Sequence, residues 1–488
     1  MPQFDLIIRG GNIIDGTGAP AFRADVAVRD GRIAAIGGDV EGDATRIIDA
    51  ARRRRGHEHM HGLQAAAGRD DEHRGQLRYR DGAAGPSRPP MPGVNVVLGA
   101  RQEGDWQSFG EYMDAVDRAE LAVNVGCFVP HGAVRYFALG MERREPDDAE
   151  LGLMRDAVAE GMAAGALGLS TGLICPPGAF AKTEEIVALA AVAAEHGGIY
   201  MTHMRDEAEQ LLEAIEEAVR IARGAWLPLE ISHHKAGRRE NWGKTEQSIA
   251  LIEKEREAGV DVTFDAYPYT AGSTILAVMA RRPEAGPDSV MVSSVRGKPE
   301  FEGKTLTQIA EMLGVAPDEA APRVLEAYPS AVAVFFMMDE ADVRRVLAHS
   351  LCMVGSDGIP SRTGKPHPRL YGTFPRVLGT YVREERLFPL EEGVRKMTSL
   401  PARRMNLAGR GELREGFAAD IVVFDPKTIA DRATYEESRK YPAGIDYVIV
   451  NGRVAAEGGK QTAARAGRLL RRSKGRSSAN DKRISEWA

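Results

Sequence analysis

Two histidines and one aspartate each follow a short apolar run of the chain. His203 comes after IYMT, His233 after LEIS and Asp357 after LCMVGS. Imidazole is a good ligand for zinc, and two imidazoles from neighbouring strands leave room for water on the same ion. A bound metal lowers the pKa of that water, and a carboxylate can take its proton and pass it to a leaving nitrogen. The three residues therefore predict a metal-dependent hydrolytic site.

The neighbours of His233 refine this prediction. In the run SHHK a regular strand sends adjacent side chains to opposite faces, so only one of the two histidines enters the site, and we assign His233. Lys235 returns to the same face and offers a cation for a substrate carboxylate. Each of two residues also has a purely structural interpretation, which stays open. Asp357 can be an aspartate that forms a turn before glycine, and Lys235 can be a solvated loop lysine.

The segments that must position these residues alternate between helix and strand. The first predicted helix begins at Thr183, its N-cap, and stops at Gly197. Two more helices are predicted over 206–223, with a stop at Gly224, and over 244–258. The strands IYMTH, LPLEISHH and VDVTFDAYPY lie between and after these helices. Such repeats favour a parallel (β/α) barrel, because each crossover helix must cover the sheet. A doubly wound open sheet is the alternative. In a barrel the loops after the strands hold the active site.

The two ends of the chain differ from this middle. Residues 1–50 and 408–472 contain short β-branched runs broken by Gly and Asp, which predict one small β-sandwich domain built from both ends. Residues 106–407 are then the barrel, with an insertion over about 274–349 that ends in EADVRRVLAHS. Residues 473–488 form a basic tail.

An aberrant Arg-, Gly- and Ala-rich segment occupies residues 51–105. From Ala51 to Pro92 it has no Val, Ile, Phe, Trp, Thr or Lys, which predicts a poorly packed loop without a buried strand. Its HEHMH at 57–61 formally matches the H-E-x-x-H of zinc peptidases. That motif needs a helix with an apolar face, which this composition does not offer, so we interpret the match as chance.

Composition excludes several classes of protein. A hydrophobic fraction of 43%, a charged fraction of 27% and a net charge of −6 are those of a soluble globular chain. No stretch approaches the roughly 18 apolar residues of a membrane span, and no signal peptide is recognisable, which predicts a cytoplasmic protein with no membrane or nucleic-acid partner. Cys127, Cys175 and Cys352 form no CxxC pair, so we expect free thiols rather than a disulfide framework or a zinc knuckle.

Five segments in order carry a family resemblance: HMRDE at 203–207, ISHHK at 231–235, DAYPYTAGST at 265–274, VGSDG at 354–358 and HPRLYGTFPR at 367–376. Together they resemble the D-aminoacylase branch of the amidohydrolase superfamily. The resemblance implies a distorted (β/α)8 TIM-type barrel with a small β domain. It also implies hydrolysis of small N-acyl-D-amino acids to a carboxylate and a free D-amino acid.

The resemblance assigns roles residue by residue. His203 and His233 match zinc-binding histidines, and Asp357 matches the catalytic aspartate. The positions that handle the substrate's carboxylate are matched by Lys235, Tyr267, Ser273 and Arg369. One tightly bound zinc ion is implied, although imidazole and carboxylate ligands also suit other divalent metals.

The chain departs from the family pattern at the first barrel strands. The family has a His-x-His pair after an apolar strand and then a metal-binding cysteine, whereas residues 51–105 contain no cysteine, and no apolar strand precedes His57, His59 and His61. We hypothesise a shifted reading frame with loss of sequence, which translation of the DNA in its other frames tests: no strand ending in His-x-His would sink the idea. The alternatives are an impaired homologue that only binds metal or substrate, or another cyclic-amide or peptide hydrolase.

Overall fold

The computed structural model describes residues 2–50, 58–60, 108–279, 286–359 and 363–472. Its strands are β1 Phe4–Ile13, β2 Phe22–Arg29, β3 Arg32–Gly37, β4 Ala44–Asp49, β5 Glu58–Met60, β6 Val125–Gly126, β7 Val129–Pro130, β8 Gly168–Gly172, β9 Ile199–His203, β10 Leu229–Ile231, β11 Val262–Ala266, β12 Ala271–Ile275, β13 Val290–Ser294, β14 Lys304–Thr305, β15 Val332–Phe336, β16 Cys352–Val354, β17 Ile421–Phe424, β18 Ile445–Val450, β19 Arg453–Glu457, β20 Lys460–Gln461 and β21 Leu469–Leu470.

The helices follow the same chain order. They are α1 Phe109–Arg118, α2 His131–Leu139, α3 Asp148–Ala163, α4 Thr183–Glu195, α5 Leu211–Ala225, α6 Thr245–Glu257, α7 Leu276–Met279, α8 Leu306–Leu313, α9 Ala320–Ala327, α10 Glu340–Ala348, α11 Arg369–Arg376, α12 Leu390–Met397 and α13 Ser399–Arg404. A π-helical stretch, Val377–Glu384, continues α11.

A parallel sheet with the order β7-β8-β9-β10-β11-β16 carries the site. Every pair along it is parallel, and a helix lies between successive strands from β7 to β11. Successive helices from α2 to α6 contact one another and share one core with the outward side chains Leu229, Val262 and Phe264. This single helical layer confirms the predicted α/β fold and argues against the doubly wound alternative, which needs helices on both faces.

Strands from both chain ends form a second sheet of nine strands. Its order is β20-β19-β18-β17-β5-β1-β2-β3, and β4 also pairs with β1. Side chains of both ends share one core, including Leu6, Val26, Ile421 and Ile449. The last strand, β21, leaves this sheet and pairs with β6 beside the parallel sheet.

Strand β5 corrects the prediction of a loop over residues 51–92. It runs parallel to β1 on one side and antiparallel to β17 on the other. The physical reason is that ladder hydrogen bonds come from the backbone, so two neighbouring strands can recruit a segment that lacks β-branched residues. A strand at 58–60 also conflicts with the helix that H-E-x-x-H needs. His57, His61 and the rest of the stretch up to 107 lie outside the described residues.

The predicted insertion is a small sheet with its own core. Antiparallel pairing gives the strand order β12-β15-β13-β14, and α8 and α9 cover it around Val292, Ile309 and Phe335. Helix α10, at its end, packs on α6 and β16 and so completes the helical layer of the parallel sheet.

The cysteines are free thiols, as predicted, with Cys127 and Cys352 buried and Cys175 partly exposed. Within the described ranges, no helix has both the length and the apolar character needed to cross a membrane.

Candidate active site

The predicted site residues lie where strands of the parallel sheet end. His203 is the last residue of β9, His233 follows β10 by two residues, and Asp357 follows β16 by three. Because the carboxyl ends of parallel strands meet at one edge of a sheet, the three are brought together there.

Two of these residues adopt an uncommon backbone conformation. His233 has φ 40° and Asp357 has φ 45°, both in the left-handed region. At His233 the turn is held by Asp265, whose Oδ1 accepts from the His233 amide at 3.0 Å. The strand is therefore not regular through SHHK. His234 turns to the helical side, where its Nε2 lies 2.8 Å from Ser248 Oγ, and His233 is left for the site.

Asp265 was not singled out from the sequence. It is buried on β11, and burial raises the pKa of its carboxyl to about 6. A Cβ on Gly355 would stand 2.5 Å from Asp265 Oδ1, so the glycine of VGSDG leaves the room that this carboxylate occupies. Asp265 therefore supports the turn at His233.

The two predicted metal ligands face each other. His203 Nδ1 lies 3.0 Å from His233 Nε2, and the rings meet edge to face with centroids 4.6 Å apart. Two nitrogens bound to one tetrahedral zinc ion at 2.0–2.1 Å are about 3.3 Å apart, close to this spacing. The nitrogens present are therefore placed as a pair of ligands to one ion.

Glu207 joins this pair and was missed as a site residue. Its Oε1 lies 2.9 Å from His233 Nδ1 and 2.7 Å from Lys235 Nζ, and its Oε2 lies 3.9 Å from His203 Nε2. Burial alone would raise the pKa of Glu207, but the charge of Lys235, followed by those of His203 and His233, outweighs burial and holds the pKa well below 4.5. The available signal was the spacing i, i+4 from His203 within HMRDE.

The donor set fits a divalent metal. His203, Glu207 and His233 each offer a ligand atom, and these atoms lie within 4.8 Å of one another. The two imidazoles are ligands that zinc accepts, whereas the Glu207 carboxylate contacts Nδ1 of His233 and not the Nε2 that faces His203. No other such cluster of three occurs in the described part of the chain.

A second group of side chains surrounds Asp357. Arg369 is buried, and its Nη1 lies 2.8 Å from Asp357 Oδ2. The guanidinium carbon sits 4.5 Å from the centre of the Tyr267 ring, and Nη2 donates to the Ser273 carbonyl at 3.3 Å. Arg369 Nε is buried and has no hydrogen-bond partner among the described residues. A carboxylate that accepts hydrogen bonds from this edge of the guanidinium would satisfy Nε.

Lys235 connects the two groups. Its Nζ contacts Glu207 and His233 on one side and lies 5.7 Å from the centre of the Tyr267 ring on the other. Burial lowers the pKa of Lys235, but Glu207 and then Tyr267 raise it by more, so the net shift is upward. A cavity beside this region is lined by His233, Lys235, Tyr267 and Met338, among others. Six of the seven predicted side chains thus belong to one connected region, and Ser273, the seventh residue, contributes its carbonyl.

Comparisons with known proteins show the family of the chain. The model of the amidohydrolase family matches residues 245–456. A D-aminoacylase of Alcaligenes xylosoxydans xylosoxydans is 41% identical, over 96% of this chain and 98% of the relative.

Two solved structures are also similar to this chain over nearly its whole length. A D-aminoacylase crystal structure superposes with a TM-score of 0.85 at 39% identity, covering 96% of this chain and all of the other. The N-acyl-D-glutamate deacylase of Bordetella bronchiseptica, solved with zinc and a phosphonate mimic of the tetrahedral intermediate, gives 0.83 at 38% identity and covers 96% of this chain and 99% of the other.

Proposed function

Because the chain belongs to the D-aminoacylase branch of the amidohydrolase family, we propose that it hydrolyses N-acyl-D-amino acids to a carboxylate and a free D-amino acid, with zinc as its metal. The observation that carries the proposal is the facing pair His203 Nδ1 and His233 Nε2, 3.0 Å apart at the strand ends. These two residues would hold the ion. When bound, zinc supplies a Lewis acid for the amide carbonyl and lowers the pKa of water.

Asp357 would move the proton of the reaction. Its carboxylate, paired with Arg369 at 2.8 Å, takes the proton that the attacking water loses. It then returns that proton to the amide nitrogen as the C–N bond breaks. Water adds its oxygen to the acyl carbon, and the amine leaves as the free D-amino acid.

The substrate's α-carboxylate is the natural partner of the cations around Tyr267. Arg369 offers its Nε, which lacks a partner in the described chain, and Nη2, which makes only a 3.3 Å bond. Lys235 adds a positive charge on the side of the metal ligands. Binding the carboxylate between these groups would place the neighbouring amide bond between Asp357 and the histidines.

One observation favours a second candidate, an impaired homologue that binds metal or substrate without turnover. Residues 51–105 contain no cysteine and no apolar run before their histidines, so the first-strand ligands of the family have no match there.

The test is to measure the zinc content of the purified chain and of His233→Ala beside the release of free amino acid. N-acetyl-D-leucine, N-acetyl-D-glutamate and their L-enantiomers are suitable substrates. We expect bound zinc, hydrolysis of a D-substrate, and loss of both in His233→Ala. Zinc binding without hydrolysis would support the second candidate, and hydrolysis that persists without metal would contradict the first.

A further inference from the structure

Each ligand histidine has a second ring nitrogen, and both of these nitrogens face Glu207. On His233 it is Nδ1, 2.9 Å from Glu207 Oε1, and on His203 it is Nε2, 3.9 Å from Oε2. The nitrogens that face each other are the opposite ones, Nε2 of His233 and Nδ1 of His203. One buried carboxylate therefore lies behind a pair of rings whose other edges converge.

We infer that Glu207 is a positioning residue that fixes the tautomer of His233, so that the lone pair of its Nε2 points at the metal. The inference rests on the proposed metal site. A neutral imidazole carries one N–H, and a carboxylate that accepts it leaves the other nitrogen as a ligand. Glu207 acts through His233 and need not bind the ion itself.

Lys235 supports this assignment because it competes with Glu207 for the same atom, His233 Nδ1. Its Nζ lies 2.7 Å from His233 Nδ1 and 2.7 Å from Glu207 Oε1. An ammonium can only donate. If it donates to Nδ1, the ring proton must sit on Nε2, and that nitrogen cannot bind metal. By accepting from both neighbours, Glu207 keeps the ammonium occupied and the ring proton on Nδ1.

The backbone of Glu207 has a separate structural task. Its carbonyl accepts from the Gly237 amide at 2.7 Å, and a side-chain substitution leaves this bond in place. Glu207→Gln keeps the size of the side chain but removes its charge. The amide then holds Lys235 less firmly, and Lys235 competes for His233 Nδ1. Removing Lys235 as well should relieve that competition.

The test measures zinc dissociation constants by competition with a chromophoric chelator, with Co²⁺ absorption spectra as a second readout. The variants are Glu207→Gln, Glu207→Gln with Lys235→Met, and the control Glu217→Gln. Glu217 is a half-buried glutamate on α5 that pairs with Arg205 at 2.8 Å, so this control removes the charge of a carboxylate that supports the same loop as Glu207. Thermal unfolding confirms that each variant is folded.

We expect Glu207→Gln to weaken zinc binding about 10- to 100-fold, the usual effect of losing an orienting partner. The double variant should bind zinc more tightly than the single one, and Glu217→Gln should bind like wild type. A folded Glu207→Gln with wild-type affinity, a double variant no tighter than the single, or a wild-type chain that binds no zinc would each overturn the inference. Zinc bound without hydrolysis contradicts only the proposed activity.

Discussion

Replacing Arg369 by lysine separates recognition of the substrate carboxylate from the rest of catalysis. The guanidinium is buried, and its carbon lies 4.5 Å from the centre of the Tyr267 ring. It pairs with Asp357 at 2.8 Å and has an unpartnered Nε within the described chain. Arg369→Lys keeps the positive charge, so Asp357 retains a cation nearby. The lysine cannot reproduce the bidentate contact in which a guanidinium binds one carboxylate through two parallel N–H groups.

The magnitude follows from the contact that is lost. One hydrogen bond to a charged group contributes about 1.5–3 kcal/mol, which corresponds to a decrease of roughly 10- to 150-fold in kcat/KM. Most of the decrease should appear in KM, because the carboxylate is bound in the ground state as well as in the transition state.

The assay compares an N-acetyl-D-amino acid with its primary amide, which lacks the carboxylate. Arg369→Lys should lose much more activity on the acid than on the amide. The matched control is Arg376→Lys, seven residues along the same helix, whose guanidinium lies 5.0 Å from the Tyr269 ring centre and pairs with Asp431 at 3.3 Å. Equal losses on acid and amide, or the same discrimination in the control, would refute the role of Arg369 in carboxylate binding.

Two further predictions test the proton carrier and a buried neutral histidine. Asp357→Asn should reduce kcat by about 10²- to 10⁴-fold, the usual contribution of general acid–base catalysis, and a variant with near wild-type kcat would remove Asp357 from that role. Burial, and then the charge of Arg369, hold the pKa of His367 well below 6.5, while its Nε2 contacts the Ala271 carbonyl at 2.8 Å. As the pH falls, the His367 side chain binds a proton in the unfolded chain before it does so in the folded chain. The contribution of neutral His367 to the free energy of unfolding is therefore present above pH 6.5 and is lost below it, by about 1.4 kcal/mol between pH 7.5 and 5.5. Urea unfolding at both pH values should show that loss in wild type but a smaller one in His367→Gln, and equal losses would contradict the assignment.

Periodicity identified the helices and strands of the parallel sheet but placed some helix ends wrongly. Helix α5 was predicted from Asp206 and begins at Leu211. The Asp206 side chain instead accepts from the Ala208 amide at 2.7 Å, a local turn that competes with the helix. At the other end the helix passes the predicted stop at Gly224, and Trp226 adopts the left-handed conformation with φ 56°. Thr183, predicted as N-cap of α4, is its first helical residue.

His203, His233 and Asp357, which the sequence pattern alone identified, share one property, a position at or just after the end of a strand. That position can be recognised locally, because an apolar run and the polar residue behind it are adjacent in the chain. Glu207 and Asp265 act through folded geometry instead. Glu207 depends on how the loop after β9 turns back towards His233, and Asp265 acts on the backbone of a neighbouring strand. The i, i+4 spacing from His203 is the only local sign of Glu207, and Asp265 has no such sign.

The site divides into two parts that depend on different regions of the chain. The proposed recognition of the carboxylate by Arg369 and Lys235, and the proposed proton transfer by Asp357, would use residues from β10 onwards. The proposed metal affinity would depend on His203, His233 and the orienting Glu207, together with any donors from residues 51–105, where the family's cysteine is missing. A shortage of donors would therefore weaken metal binding first and leave the anion pocket intact. If the segment supplies none, free D-amino acid or its N-acyl form should still bind the metal-free chain through Arg369, without turnover.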